Sequence, residues 1–419
     1  MISKINFKID LLIFLLISSL IFITRGEYPN DYFRILLLKL FLILIVFFKI
    51  KLIDEVRYNI VEYKNTSIIL TLFVISITIS YILAPFKIND FAYNWLRIRY
   101  LHTITDIFLF IFLYLYFYKK EINYKYLSAS ILIPGIIFSI FLLINAIIKD
   151  KIQNTNEQII FFDGYRSVGM LLTFLISFYF GKINNEIINK NNIKNIFVIS
   201  LFLTLAIYFS GRASLISIFF SFLIIIIINF TTNRNNNHNF YIFILSLPIS
   251  YIISNLISKH EIISRIINRR NFQEYYGVDF ENPRIAMWDY AINLILENPF
   301  FGKGPGSYFI SSFNDMIAGK LSKFLVHAQP HNVIIQFLLE WGMIGTILIF
   351  ILFLKLFFLT IKILIKKKFF VIIPYGLSLL SLTIHSFVDG TFFHPTFTFY
   401  IIICISILCS EIHKINHRL

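Results

Sequence analysis

Three side chains at the edges of apolar runs have the types needed for group transfer. His331, followed by Asn332, opens the run HNVIIQFLLEWGMIG. An imidazole with an ordinary pKa of about 6.5 accepts a proton near neutrality, which suits a general base acting on a hydroxyl. Asn332 is placed to orient the ring or a substrate hydroxyl. Arg212 stands in a tight turn between two apolar runs, with almost no loop to escape into, and Arg284 precedes an amphipathic stretch. The planar guanidinium fork binds phosphate oxygens two at a time, and at Arg284 an anion would also meet a helix N-terminus. Each residue has a plainer reading as well: His331 as a helix cap at an interface, Arg212 as a snorkelling anchor, Arg284 as a solvated loop arginine.

Other ionisable groups are candidates for support. The turn HSFVDGTFFHP brings His385, Asp389 and His394 close in sequence, although Asp389-Gly390 and His394-Pro395 are also turn-forming pairs. Glu340 follows His331 by nine residues, either lining a cavity or pairing with a loop arginine. His327 and His331 have the i, i+4 spacing of a helical metal site, but Pro330 between them interrupts a helix, so no metal is expected. There is also no Asp-x-Asp pair on the outer face for a metal-dependent nucleotide-sugar enzyme, and no cofactor motif.

These groups must be positioned by membrane helices. Of the 419 residues, 58% are hydrophobic and 15% charged, which excludes an ordinary soluble domain. Apolar runs at about 9–24, 35–53, 67–85, 100–118, 127–148, 166–181, 195–210, 213–230, 240–257, 333–361, 369–388 and 395–410 are near the length that crosses a hydrocarbon layer of roughly 30 Å. The expected fold is therefore an all-α integral membrane protein of about twelve transmembrane helices. The first run lacks a small-residue cleavage site and reads as a retained helix.

The formal charge of +15 is spread over short loops with no basic face, so nucleic acid is not an expected partner. Lys49, Lys51, Arg57, Lys64, Lys119, Lys120, Lys125, Lys182, Lys190, Lys194, Lys362, Lys366, Lys367 and Lys368 collect on one side. Fewer, including Arg25, Arg34, Lys87, Arg97, Arg99, Lys149, Lys151 and Arg166, lie in the other set of loops. The positive-inside bias then puts both termini in the cytoplasm. Cys404 and Cys409, five apart, are poorly spaced to pair and read as small buried hydrophobes.

One connection is long. It divides the chain into an N-terminal bundle (1–257, about nine spans), an extracytoplasmic loop (258–330) and a C-terminal group of about three spans (331–419). The loop begins charged and aromatic, with Arg265, Arg269 and Arg270. It continues as an amphipathic helix whose apolar face is Ala286, Trp288, Ala291, Ile292, Ile295 and Leu296, ended by Asn298-Pro299. FFGKGPGSY follows as a turn-rich stretch. The loop is long enough to cap a cavity between helices. Gly342 and Gly345 are expected to let the helix after His331 pack closely.

His331-Asn332, nine residues, Gly342, two residues, Gly345 resembles the signature of the O-antigen ligase and polymerase superfamily of bacterial envelopes. SGRASL (210–215) resembles its Ser-x-Arg turn, and PRIAMWDYAINLILENPFFGKGPGSY its Arg…Trp…Asn-Pro…Gly-x-Gly stretch. The match is tightest over about 200–350. VHAQPHN departs from the family, which often carries a second histidine where this chain has Gln329-Pro330, and this puts His327 in doubt as a partner of His331. The resemblance implies an enzyme of the bacterial inner membrane with its site facing the periplasm. Its donor would be an undecaprenyl-pyrophosphate-linked glycan, and its acceptor a hydroxyl of lipid A core or another acceptor. Arg212 and Arg284 would hold the pyrophosphate, and His331 would act as base or orient the acceptor. A polymerase joining lipid-linked repeats and a protein O-oligosaccharyltransferase would need the same cavity. A transporter is the rival of another class, but no two-fold repeat is visible.

Overall fold

The computed structural model describes residues 11–19, 30–49, 64–85, 90–119, 123–151, 165–185, 192–209, 212–231, 238–257, 283–322, 325–365, 372–390, 392 and 394–418. Backbone polar groups in hydrocarbon must be satisfied within the segment, so long apolar runs become helices. The described residues form α1 (11–19), α2 (Asn30–Lys49), α3 (Lys64–Leu83), α4 (Asp90–Lys119), α5 (Tyr124–Lys151), α6 (Tyr165–Asn185), α7 (Asn192–Tyr208), α8 (Arg212–Thr231) and α9 (His238–Ile257). Then come α10 (Pro283–Glu297), α11 (Ser307–Ile317), α12 (Val333–Ile365), α13 (Ile373–Ser386) and α14 (Pro395–Arg418). Arg265, Arg269, Arg270, Lys51, Arg57, Lys190, Lys366, Lys367 and Lys368 lie outside the described residues, as does the first part of the long loop.

Each of the twelve apolar runs overlaps a helix. Eight helices among the described residues, α3, α4, α5, α6, α8, α9, α12 and α14, are long and apolar enough to cross a membrane, and the chain is a multi-pass membrane protein. The other four fall short for visible reasons. Of α1 only residues 11–19 are described, α13 is short, α7 has 17 residues, and α2 carries Asp31, Arg34, Lys39 and Lys49. Arg99, expected in a loop, is instead a buried residue of α4, which begins ten residues before the apolar run. Cys404 and Cys409 are free thiols, as expected from their spacing.

One group of helices centres on α6, which is apolar all round and 94% buried over residues 167–184. It packs against α13, α8 and α7, with Phe174 and Phe178 against Tyr400 and Tyr375. In the other group α3 packs mainly on α12, and α4 on α14 and α2. Lys39 of α2 is buried and ion-paired with Asp106 of α4.

The loop helix α10 ends at Glu297, before Asn298-Pro299, as its sequence requires. Its buried face differs from the expected one: Met287, Ala291 and Leu294 face the protein, while Ile292 and Leu296 are exposed together with Ile285. The helix is apolar on two sides, and hydrophobicity alone does not tell a protein-facing stripe from a lipid-facing one. α11 was not expected after the glycine-rich turn. It starts behind Gly306 in a left-handed conformation and packs on α12 and α4.

α12 is broken at Gly342, whose φ of 67° and ψ of −174° are far from helical. Breaking a helix frees backbone groups that need partners. Here the segment 299–304 supplies them. Met343 N donates to Pro299 O (2.8 Å) and Ile344 N to Phe300 O (3.2 Å), while Lys303 N donates to Leu339 O (2.8 Å) and Gly304 N to Glu340 O (3.1 Å). A Cβ on Gly342 would lie 2.3 Å from Phe300 O, and one on Gly302 2.6 Å from Gly342 N. Gly342 therefore serves the break, not the helix packing expected of it, whereas Gly345 does allow close packing, its added Cβ falling 3.3 Å from Ser76 Oγ of α3. Residues 343–361 alone give about 28 Å of helix, enough to cross the hydrocarbon layer without the piece before the break.

Gly342 and Gly319 both have positive φ, but a Cβ on Gly319 would meet nothing within 4 Å. Gly319→Ala should cost only the left-handed penalty of about 1–2 kcal/mol. Gly342→Ala adds a clash with backbone and should lower the thermal midpoint of the purified protein several times further. Equal losses would show that the docking of 299–304 contributes little.

Candidate functional site

His331 sits between Pro330 and the first turn of α12. It is the one non-glycine among the described residues with a positive φ, 54°, in a region that costs an L-residue energy unless its surroundings hold it there. Three contacts do so. Trp288 Nε1 of α10 donates to Pro330 O at 2.9 Å. Asn332 Oδ1 accepts from Ile334 N (3.0 Å) and Ile335 N (3.2 Å), capping α12. His331 Nδ1 lies 2.8 Å from Asp389 Oδ1, with both side chains buried. A carboxylate only accepts, so Nδ1 carries the proton and Nε2 is left as the basic nitrogen.

Asp389 is fixed in its turn. Its amide donates to His385 O (3.0 Å), and its Oδ1 also accepts from Gly390 N (2.9 Å). A Cβ on Gly390 would fall 1.8 Å from the Gln329 amide, so 327–331 and 388–390 are pressed together at a point where only glycine fits. His327 lies edge-on to His331, ring centroids 5.4 Å apart.

His385, four residues before Asp389 on α13, extends the cluster to α8. Its Nε2 is 3.3 Å from Ser214 Oγ, one half-turn after Arg212 at the start of that helix. Arg284, second residue of α10, is near enough for its charge to act on His385. Arg212 is exposed and Arg284 half-buried. The structure thus joins the start of α8, the start of α10, the start of α12 and the turn after α13, which are distant in sequence, around His385, Asp389 and His331. Such an arrangement pairs an oriented imidazole with guanidinium groups at two helix N-termini, where negative charge is favoured.

Glu340 belongs to a second cluster, on the side of α12 that faces α4. It is buried, accepts from Gly306 N (2.7 Å) and Gln336 Nε2 (2.5 Å), and stands 3.8 Å from Arg99 Nη2. Arg99 also donates to Tyr32 OH (3.3 Å). Of the two roles expected for Glu340, pairing with an arginine is the one seen, but its partner is on a membrane helix and not in the loop. Asn332 is expected to orient a ring or hydroxyl, and its oxygen is engaged in the helix cap. Among the described residues no group of three His, Cys, Asp or Glu side chains is arranged to hold a metal ion. Sequence reasoning missed Ser214, the Trp288–Pro330 contact and the Arg99–Glu340 and Lys39–Asp106 pairs. Lys39 and Asp106 carried a usable signal, since each interrupts an apolar run.

Residues 196–350 match the family model described as O-antigen ligase. No curated protein matches the chain. The matched segment holds Arg212, Arg284, His331 and the glycines of the broken helix, and the match supports the resemblance of this part of the chain to the O-antigen ligase superfamily.

Proposed function

We propose that the protein is a glycosyltransferase that moves a glycan from undecaprenyl pyrophosphate to a sugar hydroxyl of lipid A core, at the periplasmic face of the bacterial inner membrane and without a metal. The family is one of ligase- and polymerase-like enzymes, and its members are glycosyltransferase-like. The observation that carries the reading is the buried His331–Asp389 pair at a strained backbone position, because strain at the single left-handed non-glycine among the described residues is a mark of functional placement.

In this reaction the acceptor oxygen attacks the anomeric carbon, and the bond from that carbon to the pyrophosphate oxygen breaks. The acceptor proton passes to His331 Nε2, and Asp389 stabilises the imidazolium that forms. The departing pyrophosphate gains negative charge, which Arg212 and Arg284 stabilise from fixed positions. Attack opposite the leaving group inverts the anomeric centre. From the long connection, Trp288 of α10 holds the backbone next to His331.

His331→Ala should leave the protein inserted and expressed while lowering transfer by about 100-fold or more. Asp389→Asn, which alters what Nδ1 bonds to, should give a smaller loss with the same fold stability. Full transfer by His331→Ala rejects the base. Arg212→Lys and Arg284→Lys keep the charge and lose the fork, so both should impair transfer, and unimpaired lysine variants reduce these residues to plain electrostatic anchors. Deleting the gene and separating lipopolysaccharide by size identifies the reaction: core without chains for a ligase, core with one repeat for a polymerase, and unchanged lipopolysaccharide with lost glycoprotein for a protein-directed transferase.

A further inference from the structure

The loop helix α10 lies alongside the short piece 333–341 and runs opposite to it. Near its start Trp288 Nε1 donates to Pro330 O, and just past its end Pro299 O accepts from Met343 N. Between these points Met287, Ala291 and Leu294 pack with Ile335 and Leu339. Both ends of α10 are thereby held at the ends of membrane spans. At the start, the charge of Arg284 acts on His385, whose Nε2 is 3.3 Å from Ser214 in the first turn of α8, a 20-residue span. At the end, Met343 opens the part of α12 that is long enough to cross the membrane. The 15 residues of α10 measure about 22 Å, less than one hydrocarbon thickness, so both ends are on the same side and the helix lies along the membrane surface.

At about 3.6 residues per turn, Ile285, Ile292 and Leu296 form one row on α10, and all three are exposed. Trp288 and Ile295, half-buried against the protein, border the row on one side, and the exposed Asp289, Asn293 and Glu297 border it on the other. The apolar arc is therefore wider than the face that packs on the protein, and it ends in a polar strip. A helix divided in this way is built to lie in a membrane interface, apolar side down and polar side in water. The row also runs into a surface that faces lipid. Phe300, 61% exposed, follows Leu296 by four residues, and its carbonyl accepts from Ile344 N. At that point α12, which is 17% buried over its apolar stretch, turns Met343, Ile344 and Ile347 outward. An exposed apolar row that is contiguous with such a surface marks a contact, unlike singly scattered apolar side chains.

We infer that the partner of this face is the bilayer: Ile285, Ile292, Leu296 and Phe300 sit among the outer parts of the lipid acyl chains, with Asp289, Asn293 and Glu297 toward water. The contact does not depend on which reaction the site performs. Its effect reaches the site through Trp288, which shares the apolar arc with the row and holds the Pro330 carbonyl beside His331. Lipid under α10 thus helps to fix the backbone next to the strained histidine.

The test places spin labels on the full-length protein in nanodiscs of phosphatidylethanolamine and phosphatidylglycerol. Ile292→Cys, Leu296→Cys and Phe300→Cys report the row, Asp289→Cys and Asn293→Cys the polar strip, and the unsubstituted protein gives the background from Cys404 and Cys409. Collisions with oxygen, which concentrates in lipid, should exceed those with a water-soluble nickel chelate along the row, and the order should reverse along the strip. Nickel prevailing at every position overturns the inference. So does shielding of the row from both probes, which assigns the face to a second copy or to residues 258–282 of the chain. A second arm keeps the Phe300→Cys label and adds Ile292→Ser with Leu296→Ser, which should move its oxygen-to-nickel ratio toward water by about threefold, because seating in the interface scales with the apolar area buried. An unchanged ratio there shows that the row does not seat the helix and also overturns the inference.

Discussion

The break in α12 at Gly342 is the constraint on which the outer half of the molecule depends. In a membrane a helix cannot simply stop hydrogen bonding, since each unsatisfied backbone group costs several kcal/mol. The segment 299–304 meets the freed groups of residues 339, 340, 343 and 344, and so the loop between α10 and α11 has to lie where it does. Glu340 extends the same junction through Gly306 to Arg99 on α4, while Ser80 of α3 donates to Glu340 O. Two membrane helices and the extramembrane loop are thereby fastened to one turn.

The same break leaves a short helical piece, 333–341, which the candidate base His331 immediately precedes. His331 is stabilised in its unfavourable conformation from both sides, by Trp288 of the loop and by Asp389 of the turn after α13. Neither partner is adjacent in sequence. A displaced loop would release the Pro330 carbonyl, and a displaced α13 would remove the carboxylate, so the orientation of the imidazole reports on the packing of both. The α6, α8 and α13 group supplies the rigid side of this arrangement, with Ser214 and His385 in contact across it.

The two helix groups differ in what they leave between them. Around α6 the packing is dense and aromatic, with Phe174, Phe178, Phe180 and Tyr375 almost fully buried. Between the α3–α12 and α4–α14 pairs a cavity remains, below the His331–Asp389 pair. Packing is thus dense and aromatic on one side and open on the other. Polar groups at the boundary, including the Lys39–Asp106 pair, are partnered inside the bundle, as buried charges must be.

Much of this was legible in the residues. Apolar run lengths fix helices because hydrocarbon offers the backbone no other partner, and each expected run overlaps a helix among the described residues, although four of those helices do not count as spans on length and composition. The spaced residues of the superfamily signature mark His331, Arg212 and Arg284, and the family match covers them. Other features required the third dimension. Whether Gly342 packs a helix or breaks one depends on what backbone lies opposite, and Phe300 is not adjacent in sequence. Which carboxylate meets His331 is decided by the turn after α13: packing places Asp389 at 2.8 Å from it and Glu340 beside Arg99. The sequence determined which residues are candidates for the chemistry and that they border apolar runs, because composition and local pattern act through solvation and hydrogen bonding along the chain. Only the tertiary structure decided which of them meet, because those contacts join segments up to 260 residues apart and depend on how whole helices pack.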